Sequence, residues 1–236
     1  VLDVGSGYGE TCLEFSKLVG PQGEVTGVDC TTEFLKIAER ERALQKADNV
    51  SYLTGDIQSL PLPEAHFDFA FSRFGLMFCQ NPVIALKNIY QSLKPGGELC
   101  AITWRSLGEN RCWNIGKEVS LRYLQEVTQP GQTCGPGPFS MSIKENNMQR
   151  FEIAGFDNIQ LEPIDAEICM GNDIEEAIAF QLLVGPSGEL IRENGSEGER
   201  AIPKISADLK EILKPYQKAD GKVYLPSASW AIYARR

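Results

Sequence analysis

A short apolar segment that runs directly into a glycine cluster is the feature that most constrains this chain. Residues 1–4 (Val-Leu-Asp-Val) are apolar except for Asp3, and residues 5–9 (Gly-Ser-Gly-Tyr-Gly) follow at once. Residues 10–19 then place apolar side chains at a helical spacing. A strand, a glycine turn and a helix in this order are typical of the start of a parallel α/β sheet, in which ligands bind at the carboxyl ends of the strands.

The same alternation continues along the chain. We predict further strands at residues 24–29, 49–54, 66–72, 98–104, 158–169 and 229–234. We predict helices from Thr31 or Thr32 to about 47, with Phe34, Ile37 and Ala38 inward, and at 82–93, 110–127, 142–154, 173–184 and 205–216. Residues 94–97 (Lys-Pro-Gly-Gly) should form a turn, 128–139 a Pro- and Gly-rich stretch, and 185–200 a polar loop.

These elements predict a doubly wound, Rossmann-like α/β fold. Its seven-stranded sheet should be mostly parallel, with an antiparallel last strand and a helical insertion after strand five. We expect a single domain over residues 1–236, with a ligand-binding core at 1–105 and an acceptor-side region at 106–236. Because the chain opens inside a predicted strand, we also expect a preceding N-terminal cap that this sequence lacks.

Composition excludes some classes of function. A formal charge of −9 argues against a broad nucleic-acid-binding face, which needs clustered Lys and Arg. The seven scattered cysteines form no CxxC pair, and the one histidine cannot complete a Cys/His zinc set, so we expect no metal and reduced, mostly buried thiols. No apolar run is long enough to span a bilayer, and no signal peptide is evident, which favours a cytoplasmic location.

The charge around the glycine loop indicates its ligand. A dinucleotide-binding loop would want a third small residue at position 10, where Glu10 stands, and Asp3 adds a second carboxylate just before the loop. An acidic glycine loop suits a ligand that carries ammonium and sulfonium charges and no phosphates. S-adenosylmethionine is such a ligand.

Five segments within residues 1–105 together resemble class I S-adenosylmethionine-dependent methyltransferases. Residues 3–9 are similar to the acidic-x-Gly-x-Gly-x-Gly motif, and Asp29 follows about 20 residues later, where an acid binds ribose hydroxyls. Residues 55–57, 67–74 and 93–97 are similar to the adenine site, the fourth-strand motif and the turn before strand five. The resemblance is greatest to the branch of ubiquinone/menaquinone-biosynthesis C-methyltransferases and their small-molecule relatives. Residues 106–236 resemble the family in layout alone.

The resemblance implies a set of site residues. The expected cofactor-binding residues are Asp3, Gly5, Ser6, Gly7, Gly9, Asp29, Cys30, Asp56, Ile57, Ser72 and Arg73. Within this set, Asp29 would bind both ribose hydroxyls, Asp56 the adenine amine, and Ile57 the adenine ring. The expected acceptor-side residues are Phe74, Met77, Phe78, Trp104 and Phe139, and the stretch ending at Phe139 could cover the mouth of the site.

The predicted reaction is in-line methyl transfer to a small-molecule acceptor, leaving S-adenosyl-L-homocysteine. It depends chiefly on positioning and water exclusion, so we expect no covalent intermediate. No general base can be named, since His66 should begin strand four at the edge opposite the ligand. Protein or RNA methylation, an NAD(P)-dependent oxidoreductase and a non-catalytic module with this fold remain alternatives. The sequence does not determine the acceptor, the attacked atom or the oligomeric state.

Overall fold

A computed structural model describes residues 1–126 and 136–236 of the chain. Its strands are β1 (Leu2–Val4), β2 (Val25–Asp29), β3 (Val50–Thr54), β4 (Phe67–Arg73), β5 (Leu93–Trp104), β6 (Asp157–Gly171) and β7 (Val223–Arg235). Its α-helices are α1 (Glu10–Val19), α2 (Thr32–Gln45), α3 (Pro82–Ser92), α4 (Arg111–Ser120), α5 (Lys144–Ala154), α6 (Ile174–Leu183), α7 (Gly185–Glu193) and α8 (Gly195–Leu213). Short 3-10 helices cover Leu76–Phe78, Leu107–Glu109 and Lys214–Tyr216.

The strands form one seven-stranded sheet in the order β3-β2-β1-β4-β5-β7-β6. Strands β1 to β5 pair in parallel, and β7 pairs antiparallel with β5. The predicted fold class, including the antiparallel last strand, is therefore confirmed. Strand order reverses at β1, which lies between β2 and β4, and this switch point is where an open α/β sheet leaves a crevice for a ligand.

Local sequence explains where several of these elements begin and end. Gly20 follows the last residue of α1 with a φ of 70°, which favours glycine, and Gly155 follows α5 in the left-handed region. Helix α3 begins at Asn81, whose side chain accepts hydrogen bonds from the N–H groups of Val83 and Ile84. Pro82 occupies the first turn of α3, where its missing N–H costs nothing.

The described residues divide into two compact units. Unit 1 comprises residues 1–104, 136–163 and 229–236 and contains most of the sheet. Unit 2 comprises residues 105–126 and 164–228. Its core is formed by apolar side chains of α4, α6, α7 and α8, among them Ile115, Leu190 and Leu209. The expectation of a single domain stays a prediction.

The predicted polar loop at 185–200 is wrong. These residues form α7 and the start of α8, and Leu190 and Ile191 are buried in unit 2. Gly198 allows close packing of α8 on α7, because a β-carbon there would lie 2.0 Å from the Ile191 carbonyl oxygen. Pro203, a usual helix breaker, lies inside α8.

Three smaller predictions also need correction. The helix expected at 110–127 ends at Ser120. On α2, Ala38 is buried as expected, but Phe34 and Ile37 are exposed and Leu35 takes the inner position. The expected turn at 94–97 lies within β5 as an irregularity: Phe67 and Phe69 on β4 pair with Leu93 and Glu98 on β5.

None of the described helices is long and apolar enough to cross a membrane. The part of the Pro- and Gly-rich stretch at 127–135, with Cys134, lies outside the described residues.

Candidate functional site

The glycine loop between β1 and α1 lies at the switch point of the sheet, and its backbone is tightly bonded. Gly5 and Ser6 both donate their N–H groups to the Val28 carbonyl, at 2.8 and 3.1 Å. The Gly7 N–H donates to Oδ2 of Asp29 at 2.9 Å, and the Gly9 N–H donates to the Ser6 carbonyl. Four backbone donors of the loop are therefore already engaged within the protein.

This engagement decides what the loop can bind. Phosphate-binding loops present unsatisfied N–H groups at a helix N-terminus. Here the N–H group of Gly7 is taken by a carboxylate, and that carboxylate adds negative charge where a pyrophosphate would need donors. Glu10, which the sequence suggested as the repelling group, does not line the cavity. Its exposed side chain lies 3.4 Å from the guanidinium of Arg73.

Glycine is required in the loop for two different reasons. All three loop glycines, Gly5, Gly7 and Gly9, have positive φ, between 54° and 81°. A β-carbon on Gly5 would lie 2.7 Å from the Cα of Gly75, so the two backbones are in direct contact. A β-carbon on Gly7 would meet no protein atom within 4 Å, which leaves space beside the loop.

Asp29 ends β2 and faces the glycine loop. Its Oδ2 accepts the Gly7 N–H, and its Oδ1 accepts the Thr31 N–H at 2.8 Å. A carboxylate offers about four acceptor positions, so two remain for a ligand. Thr31 occupies the position that precedes α2 without a side-chain cap, so the carboxylate of Asp29 serves this turn as well as the loop.

The turn after β3 forms the next wall. Ile57 is buried there, and Oδ1 of the exposed Asp56 accepts the backbone N–H of Gln58 at 2.9 Å. The side-chain amide of Gln58 donates to both oxygens of Asp56, and its Oε1 accepts the Asn81 N–H at 2.7 Å. Asn88 on α3 donates to the Ile57 carbonyl at 2.6 Å. These bonds hold the turn against the start of α3.

An aromatic wall follows β4. Phe74 has a φ of 60°, and its ring stacks on Trp104 with the centroids 4.0 Å apart and the planes 13° from parallel. The left-handed conformation costs a residue with a β-carbon about 1–2 kcal/mol, and an aromatic pair contributes about 0.5–1.5 kcal/mol beyond its burial. Phe78 is 56% exposed, while Met77 beside it is buried.

These walls enclose a cavity of about 540 Å³, within the range of small-molecule sites. All of its lining residues belong to unit 1. It is lined by Val4, Gly5, Gly7, Val28, Asp29, Cys30, Thr31, Phe34, Gly55, Asp56, Ile57, Gln58, Phe74, Gly75, Phe78 and Cys79.

Eight of the expected site residues line this cavity: Gly5, Gly7, Asp29, Cys30, Asp56, Ile57, Phe74 and Phe78. Three others do not line it: Ser6 and Gly9 belong to the glycine loop, and the ring of Trp104 stacks on Phe74. The hydroxyl of Ser72 donates to the Val4 carbonyl at 2.8 Å beneath the loop. Arg73, Met77 and Phe139 are not among the lining residues, although the Met77 carbonyl accepts bonds from Gly137 and Ser140.

The lining residues that were not predicted from the sequence include Gly75, Gln58, Thr31 and Cys79. Gly75 could have been found, since it lies three residues after a predicted strand, on the same edge of the sheet as Gly5. Gln58 and Cys79 carried no pattern that pointed to a site. The thiol of Cys79 is buried, which raises its pKa to about 12.

Asp3 lies beneath the glycine loop and does not line the cavity. It is 1% exposed in the middle of β1, and its carboxylate accepts a hydrogen bond from the thiol of Cys12 at 3.2 Å. Burial raises the pKa of Asp3 to about 6, against smaller lowering effects of Cys12 and Arg73. Among the described residues, the buried hydroxyls of Ser6 and Tyr52 have no hydrogen-bond partner.

Two further expectations concern other chemistry. His66 is exposed and immediately precedes β4, at the edge of the sheet opposite the cavity. Within residues 1–126 and 136–236, no group of three or more His, Cys, Asp or Glu side chains could hold a metal ion.

The sheet order, the glycine loop and the acidic residue after β2 define the class I methyltransferase fold. Residues 2–101 match the family model described as a methyltransferase domain. The resemblance to class I S-adenosylmethionine-dependent methyltransferases that the motifs predicted is therefore confirmed.

Individual proteins agree with this assignment. The chain is 37% identical over 112 residues to the ubiquinone/menaquinone biosynthesis C-methyltransferase UbiE of Pseudomonas aeruginosa, an alignment that covers 47% of this chain and 43% of the relative. The chain thus matches less than half of the length of this relative. The match to the UbiE of Azotobacter vinelandii is 39% over 104 residues, 43% of this chain and 41% of the relative.

Solved structures share the fold. The YcgJ protein of Bacillus subtilis has a TM-score of 0.63 at 17% identity, with 100% of this chain and 90% of that chain covered. Phosphoethanolamine N-methyltransferase 2 of Haemonchus contortus has a TM-score of 0.55 at 20% identity, covering 99% of this chain and 48% of that chain. The latter was solved with phosphomonomethylethanolamine and S-adenosylhomocysteine.

Proposed function

We propose that this chain binds S-adenosylmethionine in the cavity at the switch point and transfers its methyl group to a small-molecule acceptor. The observation that carries the proposal is the glycine loop whose donors are engaged by the protein, with the carboxylate of Asp29 beside it. Such a site offers acceptors and negative charge and few free donors. It suits a cationic nucleoside better than a phosphorylated one.

The residues present fit the adenosine part of such a ligand. Asp29 retains two acceptor positions for ribose hydroxyls, which is the role that the family resemblance implies. Ile57 offers a buried apolar side chain for the adenine ring. The exposed carboxylate of Asp56 can accept from the adenine amine, since its Oδ2 accepts one hydrogen bond within the protein and keeps a free acceptor position.

The space beside Gly7 fits the remainder of the ligand. No protein atom lies within 4 Å of the position that a β-carbon on Gly7 would take, and Gly7 lines the cavity. The ligand's sulfonium supplies an already activated methyl group, so the chain has to position the acceptor and exclude water. Positioning of this kind can contribute about 7–11 kcal/mol to lowering a barrier.

An apolar small molecule is the acceptor class that the cavity supports best. Phe34, Phe74 and Phe78 line it, and no described lysine or arginine is among the lining residues. The name of the UbiE relatives places them as C-methyltransferases in ubiquinone and menaquinone biosynthesis, which is small-molecule chemistry. The net charge of −9 disfavours RNA as an acceptor.

Calorimetric titration tests the binding proposal. Wild-type protein should bind S-adenosylhomocysteine, and Asp29→Asn should weaken binding about 10- to 100-fold, because a charge-assisted hydrogen bond to ribose is lost. Asp68→Asn is the matched control: it removes the same charge from an exposed side chain on β4 that pairs with Lys94. Absence of binding by the wild-type protein at millimolar ligand, or tighter binding of NAD, would refute the proposal.

A transfer assay tests the acceptor class. Protein incubated with methyl-tritiated S-adenosylmethionine and a cell extract should place label in organic-extractable material of low mass. Label recovered mainly in precipitated protein or RNA would instead assign a macromolecular acceptor. Asp29→Asn should lower either signal, and Asp68→Asn should leave it unchanged.

A further inference from the structure

Phe74 adopts a backbone conformation that an aromatic residue rarely takes. Its φ is 60°, in the region that favours glycine, although the next residue along the chain is itself a glycine. Its N–H donates to the Ile102 carbonyl of β5 at 2.9 Å, so the turn stays attached to the sheet. A strained residue of this kind persists only where the surroundings hold it, and such residues cluster at functional sites.

Trp104 is the group that holds the ring of Phe74. It ends β5, it is 8% exposed, and the two rings are nearly parallel with centroids 4.0 Å apart. If Phe74 left the left-handed region, the direction of its side chain would change and the stacked geometry would be lost. The stack therefore stabilises the backbone of the turn as well as the ring.

The strained turn also supports the glycine loop. Gly75 follows Phe74, and a β-carbon on Gly5 would lie 2.7 Å from the Cα of Gly75. Conversely, a β-carbon on Gly75 would lie 2.7 Å from the carbonyl oxygen of Val4 and 2.9 Å from the Cα of Gly5. The two backbones thus touch without intervening side chains, and a shift of Gly75 would remove the wall that confines Gly5.

We propose that Trp104 is a positioning residue for the cofactor loop, acting through the stacked, left-handed Phe74 and through Gly75. Trp104 does not line the cavity, so its influence on the cofactor is indirect. The inference rests on the proposed function for its binding readout, and it has a second readout that needs no ligand.

A double-mutant cycle tests the route. Trp104→Leu should weaken S-adenosylhomocysteine binding about tenfold in the wild-type background. In a Phe74→Gly background the same Trp104→Leu change should alter affinity less than twofold, because glycine adopts the left-handed conformation without help. Trp104→Phe, which keeps an aromatic partner, should restore most of the affinity. An equal loss in both backgrounds would overturn the proposal.

Trp230→Leu is the matched control, and hydrogen exchange is the second readout. Trp230 lies in β7 of unit 1, paired with Thr103 and outside the cavity lining, so its loss should leave affinity unchanged.

Without ligand, Trp104→Leu should speed hydrogen exchange of the Gly5, Ser6 and Gly7 amides at least tenfold relative to Trp230→Leu, and adding Phe74→Gly should reverse this. Unchanged exchange in folded Trp104→Leu would refute the inference, whereas failure of all variants to bind ligand would refute the proposed function alone.

Discussion

Asp29 uses both of its carboxylate oxygens within the protein, one on the glycine loop and one on the turn that begins α2. Asp29 therefore has two roles: it fixes the backbone around the site, and it lines the cavity that would hold the ligand. In the glycine loop these two roles fall on different residues, Gly5 and Gly7. Gly5 is confined by Gly75, and Gly7 borders open space.

Alanine substitutions should separate these two glycines. Gly5→Ala combines positive φ with a clash on the Gly75 backbone, so we expect a loss of about 2–5 kcal/mol in the free energy of unfolding. Gly7→Ala bears the conformational cost alone, about 1–2 kcal/mol, and its methyl group should enter the cavity.

Denaturant unfolding and calorimetry together check this expectation. Gly7→Ala should remain folded and bind S-adenosylhomocysteine about tenfold more weakly. Wild-type affinity in Gly7→Ala would show that the ligand does not approach this side of the loop. A Gly5→Ala protein as stable as wild type would contradict the close contact of the two backbones.

Secondary-structure elements in the first half of the chain follow their sequence signals closely. The glycine loop, the helix periodicity after it and the alternation of strands predicted β1 to β4 and α1 to α3 within a few residues. The loop predicted at 185–200 was wrong because glycine usually interrupts helices, whereas Gly198 here allows α7 and α8 to pack closely. That requirement is set by the partner helix and not by local sequence, so no local pattern could reveal it.

The connection between α1 and β2 depends on one side chain from the start of the next strand. The Nδ2 of Asn49 donates to the carbonyls of Gly20 and Gly23 at 2.9 and 3.0 Å, and its Oδ1 accepts the Ser16 hydroxyl at 2.6 Å. Asn49→Ala should lower the free energy of unfolding by about 1–3 kcal/mol, because part-buried carbonyls lose their donor.

Asn49→Asp should cost more than Asn49→Ala, since it directs a carboxylate at those carbonyl oxygens. Urea unfolding at neutral pH gives the order of stability, and S-adenosylhomocysteine affinity should be unchanged in both variants. Equal stability of the alanine variant and the wild type would mean that this connection does not depend on Asn49.

At the scale of the whole molecule, the doubly wound, mostly parallel sheet was within reach of sequence, because strands alternate with helices and crossovers between parallel strands have a fixed hand. The division of the described residues into two units was not, since it depends on which apolar faces meet in three dimensions. The same holds for the site: Asp29 and the loop were predicted by motif, while the contact of Gly75 with Gly5 required the fold.

The pH dependence of global stability should report on Asp3. Burial raises its pKa from 3.8 to about 6, so the folded state holds this proton more tightly than the unfolded state. Stability from this group is therefore present below pH 3.8 and is lost as pH rises through about 6. The full loss is about 3 kcal/mol.

Asp3→Asn should abolish this dependence. Urea unfolding should show that wild type loses stability relative to Asp3→Asn steadily as the pH rises from 4 to 6.5. The Arg73 guanidinium and the Asp29 carboxylate act on Asp3 with opposite signs and remain in both proteins. A difference that is constant across this range would show that Asp3 titrates normally.

The engaged donors of the glycine loop bear on competition between metabolites. Adenosine triphosphate and the proposed methyl donor share the same base and sugar, so the residues that hold adenosine cannot tell them apart. At the 5′ end of the sugar, however, a triphosphate would face loop amides that are already bonded within the protein. The protein would thus select among adenosine compounds by the sign of the charge at that end, and an abundant nucleotide would be a poor inhibitor.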